Sequence, residues 1–419
     1  MASLGYKLAP TRLTGEAAAI MSIRLGENEN KGRPLALAIV SNCLTPYRLA
    51  AHVRIARELS DVRLWSVFTH EQGDAAWTLS APAEINPVLF GPGEPVSEQP
   101  KLKNAVKEWR RGGRIIRWLI ENRIDVVAMM GYNDAGRMRI MRWCRRGGVP
   151  CLLWGDSNVR GDQAVGLRRL VKRMVVGRMV RGASGILVCG RLGREYFLRY
   201  GASPDKIFYF PYEPDYSIIE NTTVEAVEAA RQRLGLASNR RRLIYAGRLV
   251  PVKRVDLLID AFAAIAPRRP DWDLVIVGGG PLLGELRQRV PADLAPRVNW
   301  AGFIAEPTAL AAVYRACDIL VLPSDYEPWG VVVNEATAAG LAVVCSDVVG
   351  SGAELVRDGV NGQTFAAGDL EGLKTALLIA TDMAKIDDMK RLSPSVLADW
   401  RRKADPVAGL ATAVRAVAR

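Results

Sequence analysis

The chain of 419 residues predicts an α/β protein built from two doubly wound parallel-sheet domains that face each other across a cleft. Three observations lead there. Short apolar runs alternate with stretches of helical periodicity, as a parallel sheet covered on both faces requires. The alternation pauses near residue 212 and restarts at 241. The length also suffices for two large cores.

Taken in order, residues 1–33 read as a flexible lead-in, and the first domain is placed at 34–212. LALAIVSN (35–42) is a first buried strand, and LTPYRLAAHVRIARELS behind it has helical spacing. DVRLWSVFT (61–69) is a second strand, and the Pro/Gly/Glu-rich span 81–100 is a loop. Runs at 124–131, 150–155, 185–190 and 206–211 supply further strands with helical material between them. Residues 213–240 form the inter-domain connection. Strands resume at 241–248, 273–280, 297–303, 318–324, 342–347 and 362–365, giving a second domain at 241–385. The segment 386–419 is helical in composition.

Composition narrows the class. The apolar share is 49%, which excludes wholesale disorder. No apolar run approaches the ~18–20 residues of a membrane-spanning helix, and the first 34 residues lack the hydrophobic stretch of a signal peptide. The six cysteines are scattered and form no CxxC pair, so they read as small buried thiols in a reducing compartment. The expected location is cytoplasmic. Charge is lopsided: residues 1–215 hold 33 Lys and Arg against 20 Asp and Glu, whereas the whole chain holds 57 against 44. The excess sits in 101–123 and 166–181. In the latter, Leu167, Leu170, Val171, Met174 and Val175 recur at helical spacing beside Arg168, Arg169, Lys172 and Arg173. For one such helix the favoured reading is an apolar face packed on the core with a solvated basic face. Two basic segments on one domain raise an anionic membrane surface as the competing reading. Nucleic acid ranks below both, because no nucleic-acid motif accompanies the charge.

The chemistry concentrates at Asp325-Tyr326-Glu327-Pro328-Trp329-Gly330-Val331-Val332-Val333-Asn334-Glu335, just past the strand-like run 319–323. Glu327 falls in a loop at the carboxyl end of a strand, Gly330 to Val332 open a helix, and Glu335 lies about a turn further in. Free backbone N–H groups there suit a pyrophosphate. Carboxylates at two depths accept hydrogen bonds from two sets of hydroxyls. Upstream, Arg248 and Lys253 occupy the loop after the strand at 241–248, where fixed cations would stabilise a leaving phosphate. Taken alone, that loop is as well explained as a solvated basic turn. Gly278-Gly279-Gly280 follows another strand, but Leu283 stands where a dinucleotide fingerprint needs glycine.

Glu327 and Glu335, seven residues apart, together with the surrounding 324–365 segment, resemble the retaining GT-B glycosyltransferases of family 4 and their E-x7-E motif. The resemblance spans roughly residues 35–385. It implies a GT-B fold and an enzyme that moves a sugar from a nucleotide-sugar (UDP or GDP) to an acceptor hydroxyl with retention of configuration. It implies further that Glu327 binds the donor sugar and Glu335 the ribose. Arg248, Lys253 and the backbone of Gly330, Val331 and Val332 would take the diphosphate, with Gly280 and Ile304 bordering the donor site. No metal and no cofactor are expected, since there is no His/Cys cluster and Asp271-Trp272-Asp273 leads directly into a strand. The final helices are expected to cross back to the first domain.

In the first domain, Asn42 to Arg48 resembles the PYR start of one family branch, and Asp156-Ser157 stands where that branch often has Glu-Ser. Asp156, Asn158 and Tyr47 are therefore the acceptor-side candidates, with Gly131 to Asp134 on the same rim. Many relatives carry a histidine near the donor sugar in this domain. His52 and His70 match no such position and read as structural. The acceptor is expected to be a glycan or lipid-linked, at the inner face of a membrane, with no role for nucleic acid. Two rival functions remain: a GT-B nucleotide-sugar 2-epimerase, and a non-catalytic nucleotide-sugar-binding protein.

Overall fold

The computed structural model describes residues 7–8, 33–73, 79–99, 101–132, 134–162 and 164–418. The lead-in read at 1–33 lies outside the described residues, apart from Lys7, Leu8 and Arg33. Strands of the first sheet are β1 (Lys7–Leu8), β2 (Leu35–Ser41), β3 (Val62–Phe68), β4 (Pro87–Leu89), β5 (Val126–Met130), β6 (Cys151–Gly155), β7 (Gly185–Val188) and β8 (Ile207–Tyr209). They lie in the order β1-β4-β3-β2-β5-β6-β7-β8, all parallel. The connecting helices are α1 (Pro46–Glu58), α2 (Ala105–Glu121), α3 (Ala135–Gly147), α4 (Gly166–Gly182) and α5 (Arg191–Arg199). Two short helices, α6 (Tyr216–Glu220) and α7 (Val224–Arg233), lead into the second sheet.

That sheet holds β9 (Arg241–Ala246), β10 (Trp272–Val277), β11 (Val298–Gly302), β12 (Ile319–Leu322), β13 (Ala342–Ser346) and β14 (Gly362–Phe365), again parallel, in the order β11-β10-β9-β12-β13-β14. Its helices are α8 (Val255–Ile265), α9 (Leu283–Arg289), α10 (Pro307–Arg315), α11 (Val331–Ala338), α12 (Gly352–Leu355) and α13 (Leu370–Ala380), followed by α14 (Ile386–Lys403) and α15 (Pro406–Val417). This is the GT-B arrangement. Each sheet reverses strand order once, between β2 and β5 and between β9 and β12. Loops leaving the carboxyl ends of those strands diverge and open a crevice.

One apolar core runs from Leu37 and Ile39 of the first sheet through Tyr212, Trp329 and Trp400 into the second sheet, so the two domains share a seam. Helix α15 packs on β8, where Gly409 lies so close that an added Cβ would stand 1.8 Å from the Tyr209 carbonyl oxygen. In the connection, buried Glu213 accepts from Arg54 of α1 (3.3 Å) and from Arg401 of α14 (3.3 Å). Arg54 also reaches Asp405 (2.7 Å). His52 and His70 are buried; His52 shares a hydrogen bond with Ser66 (2.8 Å), and burial pushes its pKa down to about 3.

Helix α4 overturns one expectation. Only Val176, Gly177 and Val180 are buried, all in its second half. Leu167, Leu170, Val171, Met174 and Val175 are 76%, 54%, 47%, 58% and 51% exposed. The apolar stripe therefore faces outward rather than onto the core; the helix is held to its domain by that short C-terminal contact and by Lys172, which pairs with Asp162 (2.8 Å).

Burial pushes the Glu213 carboxyl up from 4.5 to about 7, with Arg401 and Arg54 opposing. Its folded pKa then exceeds the unfolded one, so its stabilising contribution is full below about pH 4.5 and is lost as pH rises towards 7. In urea titrations across that window, Glu213→Gln should gain on wild type as pH increases. Parallel stability curves would show that Glu213 stays ionised throughout.

Candidate active site

The loops leaving β9 and β12 meet at the second switch point. Lys253 pairs with Glu327, both largely buried, and Arg254 pairs with Asp325 (3.2 Å) and Asp256 (3.3 Å). The Asp325 amide also donates to the Val252 carbonyl (2.9 Å). Cations of one loop are thus laid against carboxylates of the next. Arg248 is exposed at the start of the same loop, and its carbonyl accepts from the Tyr245 hydroxyl (2.9 Å). Arg254 holds a left-handed conformation (φ 51°), which turns the chain into α8. Gly278 and Gly280 allow this loop to exist: a Cβ at either would fall 1.9 Å from the Gly247 oxygen or 2.4 Å from the Leu249 oxygen. Their φ values of 138° and 157° also suit glycine. Ile304 follows β11, half-buried and packed against the core.

Gly330 sits at the N-cap of α11 with φ 90° and no side-chain cap, so no cap side chain takes up the first amides of the helix, those of Val331 and Val332. One turn on, Glu335 accepts from the Tyr314 hydroxyl of α10 (2.9 Å). Burial raises the Glu335 pKa while that hydrogen bond lowers it. The carboxylate is thereby pinned by a neighbour that the motif does not announce. The only sequence signal was a single tyrosine in the otherwise small and apolar stretch 309–314.

Across the cleft, Tyr47 packs edge-on to Tyr212, with ring centroids 4.9 Å apart. Arg48 beneath it is buried, donates to the Cys43 carbonyl (2.6 Å), and has its Nε among the buried atoms without a protein partner. Burial raises the Asp156 pKa, Arg48 lowers it and Glu327 raises it. Asp156 stands beside Cys189, Gly190, Leu192, Pro328 and Trp329, packed so closely that no water-sized cavity remains between them. Asn158 is 2% exposed and donates to second-domain carbonyls instead of opening to solvent. On the rim, Asp134 caps α3 at the Arg137 amide (2.9 Å), and Asn133 lies outside the described residues. Trp329 donates from Nε1 to the Tyr212 carbonyl (2.8 Å), a cross-domain tie absent from the sequence reading. Among the described residues, His70, Glu94 and Glu108 have metal-ligand spacing. The Arg111 guanidinium lies in their midst, 2.9 Å from His70 and 2.6 Å from Glu108, so a protein cation already balances them.

Residues 226–391, which hold this whole second-domain constellation, match the family of glycosyl transferases group 1. Among curated proteins, the lipopolysaccharide core biosynthesis mannosyltransferase LpsB of Rhizobium meliloti (strain 1021) is 37% identical over 172 residues, 39% of this chain and 46% of LpsB. D-inositol 3-phosphate glycosyltransferase of Stackebrandtia nassauensis is 37% identical over 172 residues, 39% of this chain and 38% of that protein. The matched part thus spans less than half the length of these relatives. Among solved structures, Anabaena Alr3699/HepE in complex with UDP and glucose superposes with a TM-score of 0.65 at 19% identity, over 91% of this chain and 98% of HepE. That likeness is one of fold.

The Tyr314–Glu335 bond predicts an energetic coupling. Tyr314→Phe and Glu335→Leu should each destabilise the protein, and the double variant should cost about 1–2 kcal/mol less than their sum. Additive losses in chemical denaturation would remove the bond from the account.

Proposed function

We propose that this protein transfers a sugar from a nucleotide-sugar to an acceptor hydroxyl with retention of anomeric configuration. One observation carries the reading. At the β9/β12 switch point, the cations of one loop, two carboxylates at different depths and the open start of α11 converge, within the segment matching group 1 glycosyl transferases. In this reading Glu335 holds the ribose and Glu327 the donor-sugar hydroxyls. Arg248, Lys253 and the amides from Gly330 to Val332 hold the diphosphate. Gly280 and Ile304 border the base, and Tyr47 and Asp156 face the acceptor. As the glycosidic bond breaks, charge builds on the phosphate opposite an oxocarbenium-like sugar. Lys253 would then pass from Glu327 to the departing phosphate, whose oxygen takes the acceptor proton. No metal is needed for that neutralisation. UDP or GDP is the donor base; the fold likeness to HepE, which was solved with UDP, puts UDP first.

Calorimetry with UDP, GDP, ADP and dTDP in EDTA tests this. One nucleotide should bind, and Glu335→Ala and Arg248→Ala should each weaken it about tenfold or more. Silence from all four, or unchanged variants, would bring forward the non-catalytic reading.

The acceptor we propose is a glycan or lipid-linked sugar, met by a cytoplasmic protein resting on an anionic membrane face. The outward apolar stripe of α4 beside Arg168, Arg169, Lys172 and Arg173 favours that surface, as do exposed Leu102, Val106 and Trp109 on the other basic segment. None of the described helices is long and apolar enough to cross a membrane. Vesicle sedimentation should show binding to phosphatidylcholine only when phosphatidylglycerol is added, weakened by salt. Replacing Leu170 and Met174 with serine should abolish it, and each basic residue of α4 removed should weaken it about fivefold. Equal binding to neutral vesicles, or none, would refute the surface.

A further inference from the structure

The first-domain loop after β6 carries three contacts that all end on the second domain. Asn158 Nδ2 donates towards the carbonyls of Glu327 (3.2 Å), Pro328 (3.4 Å) and Val348 (3.0 Å). Its Oδ1 accepts the Gly161 amide (2.7 Å), which fixes the direction of the side-chain amide. Arg160 pairs with Asp347. Gly161 lies against the Tyr326 ring so tightly that an added Cβ would stand 2.2 Å from it.

The three carbonyls are not scattered. Glu327 and Pro328 belong to the loop after β12, and Val348 to the loop after β13. Those two loops are zipped: the Gly350 amide donates to the Glu327 carbonyl (3.1 Å), and the Ser351 amide to Trp329 (2.8 Å). Ser351 Oγ adds bonds to the carbonyls of Trp329 (2.6 Å) and Gly330 (2.8 Å). Asn158 caps the junction from the opposite domain. Buried carbonyls need donors, and an amide supplies two N–H groups that three acceptors share.

We propose that Asn158 is a positioning residue for Glu327, so that donor-sugar recognition holds only while the domains are closed. The Glu327 carboxylate is steered by Lys253 from its own domain, and its main chain by Asn158 from the other. Separation of the domains withdraws the amide, which leaves the Glu327 carbonyl to Gly350 and takes Asn158 from the Pro328 carbonyl, while Glu335, Arg248 and Lys253 all lie within the second domain. The nucleotide grip and the sugar grip are thus mechanically distinct. The proposal rests on the reading of Glu327 as the donor-sugar residue.

The test uses the full chain. UDP and UDP-glucose (or GDP and GDP-mannose, if that pair binds) are titrated into wild type, Asn158→Asp, Asn158→Ala and Glu327→Ala. Asn158→Asp is nearly isosteric but turns a carboxylate onto three carbonyl oxygens. It should leave the nucleotide affinity within about twofold and shift the ratio of sugar-nucleotide to nucleotide affinity about tenfold against the sugar. Asn158→Ala should shift it the same way by less. If Glu327→Ala shifts the ratio and Asn158→Asp does not, the positioning role is overturned. Equal weakening of both ligands by Asn158→Asp also overturns it, as general loss of structure. If Glu327→Ala leaves the ratio unchanged, the site reading itself has failed. Small-angle scattering decides the matter without any ligand: the radius of gyration of free Asn158→Asp should exceed that of wild type, and an unchanged value sinks the closure.

Discussion

The constraint on which this molecule turns is the single reversal of strand order in each parallel sheet. A parallel connection must cross over a sheet face on a helix. Where the order reverses, successive crossovers leave to opposite sides and their loops part. In the second sheet, β9 feeds outward to β10 and β11 before the chain returns to β12. The loops after β9 and β12 therefore diverge over the same edge, and Arg248, Lys253, Glu327 and the start of α11 all lie on them. The first sheet repeats this at β2 and β5, which brings Tyr47 and Arg48 to the rim. Chemistry gathers at these positions because diverging loops leave space there.

What fills the space before a ligand arrives is an internal balance of charge. Lys253 against Glu327 and Arg254 against Asp325 bring ions out of water in pairs, which avoids the cost of an uncompensated buried charge. Among the described residues no cation pairs with Glu335; a hydroxyl holds it, and burial disfavours its ionised form. Under the proposed function, a diphosphate would exchange one partner of Lys253 for another, whereas a ligand hydroxyl would join Tyr314 on Glu335 without displacing it. The two carboxylates of the motif stand in different surroundings, although their spacing alone treats them alike.

Much of the fold was legible because strand and helix periods are local. The apolar runs at 35–42, 241–248, 318–324 and 342–347 each contain an observed strand, and Glu327, Gly330 and Glu335 fall in the loop, helix start and helix interior read for them. Two kinds of information were out of reach. Partnerships between distant positions, such as Tyr314 with Glu335 or Asn158 with the Glu327 carbonyl 169 residues on, leave no periodic trace. The other was direction. The α4 pattern of Leu167, Leu170, Val171, Met174 and Val175 specifies an apolar stripe, but a stripe facing a core and one facing outward have the same period. Only the neighbouring surfaces tell them apart.

That outward stripe also gives the charge imbalance a geometry. Loop 156–161, which touches the Glu327 loop, and the first turn of α4 are separated by four residues, so the start of α4 stands close to the cleft. Asp162, between them, is held by Lys172 (2.8 Å) and by the Tyr200 hydroxyl (2.6 Å), which ties the helix to the loop that precedes it. In the proposed function, an apolar, basic surface at that point would stand next to the acceptor side of the cleft. The donor-side residues fall in the C-terminal part of the chain, where residues 216–419 balance 24 Lys and Arg against 24 Asp and Glu. A soluble, anionic donor gains nothing from a basic exterior far from its phosphates, since exposed charges beyond about 10 Å are screened. An acceptor presented at an anionic interface gains from one beside the cleft, and the basic excess lies on that side of the molecule.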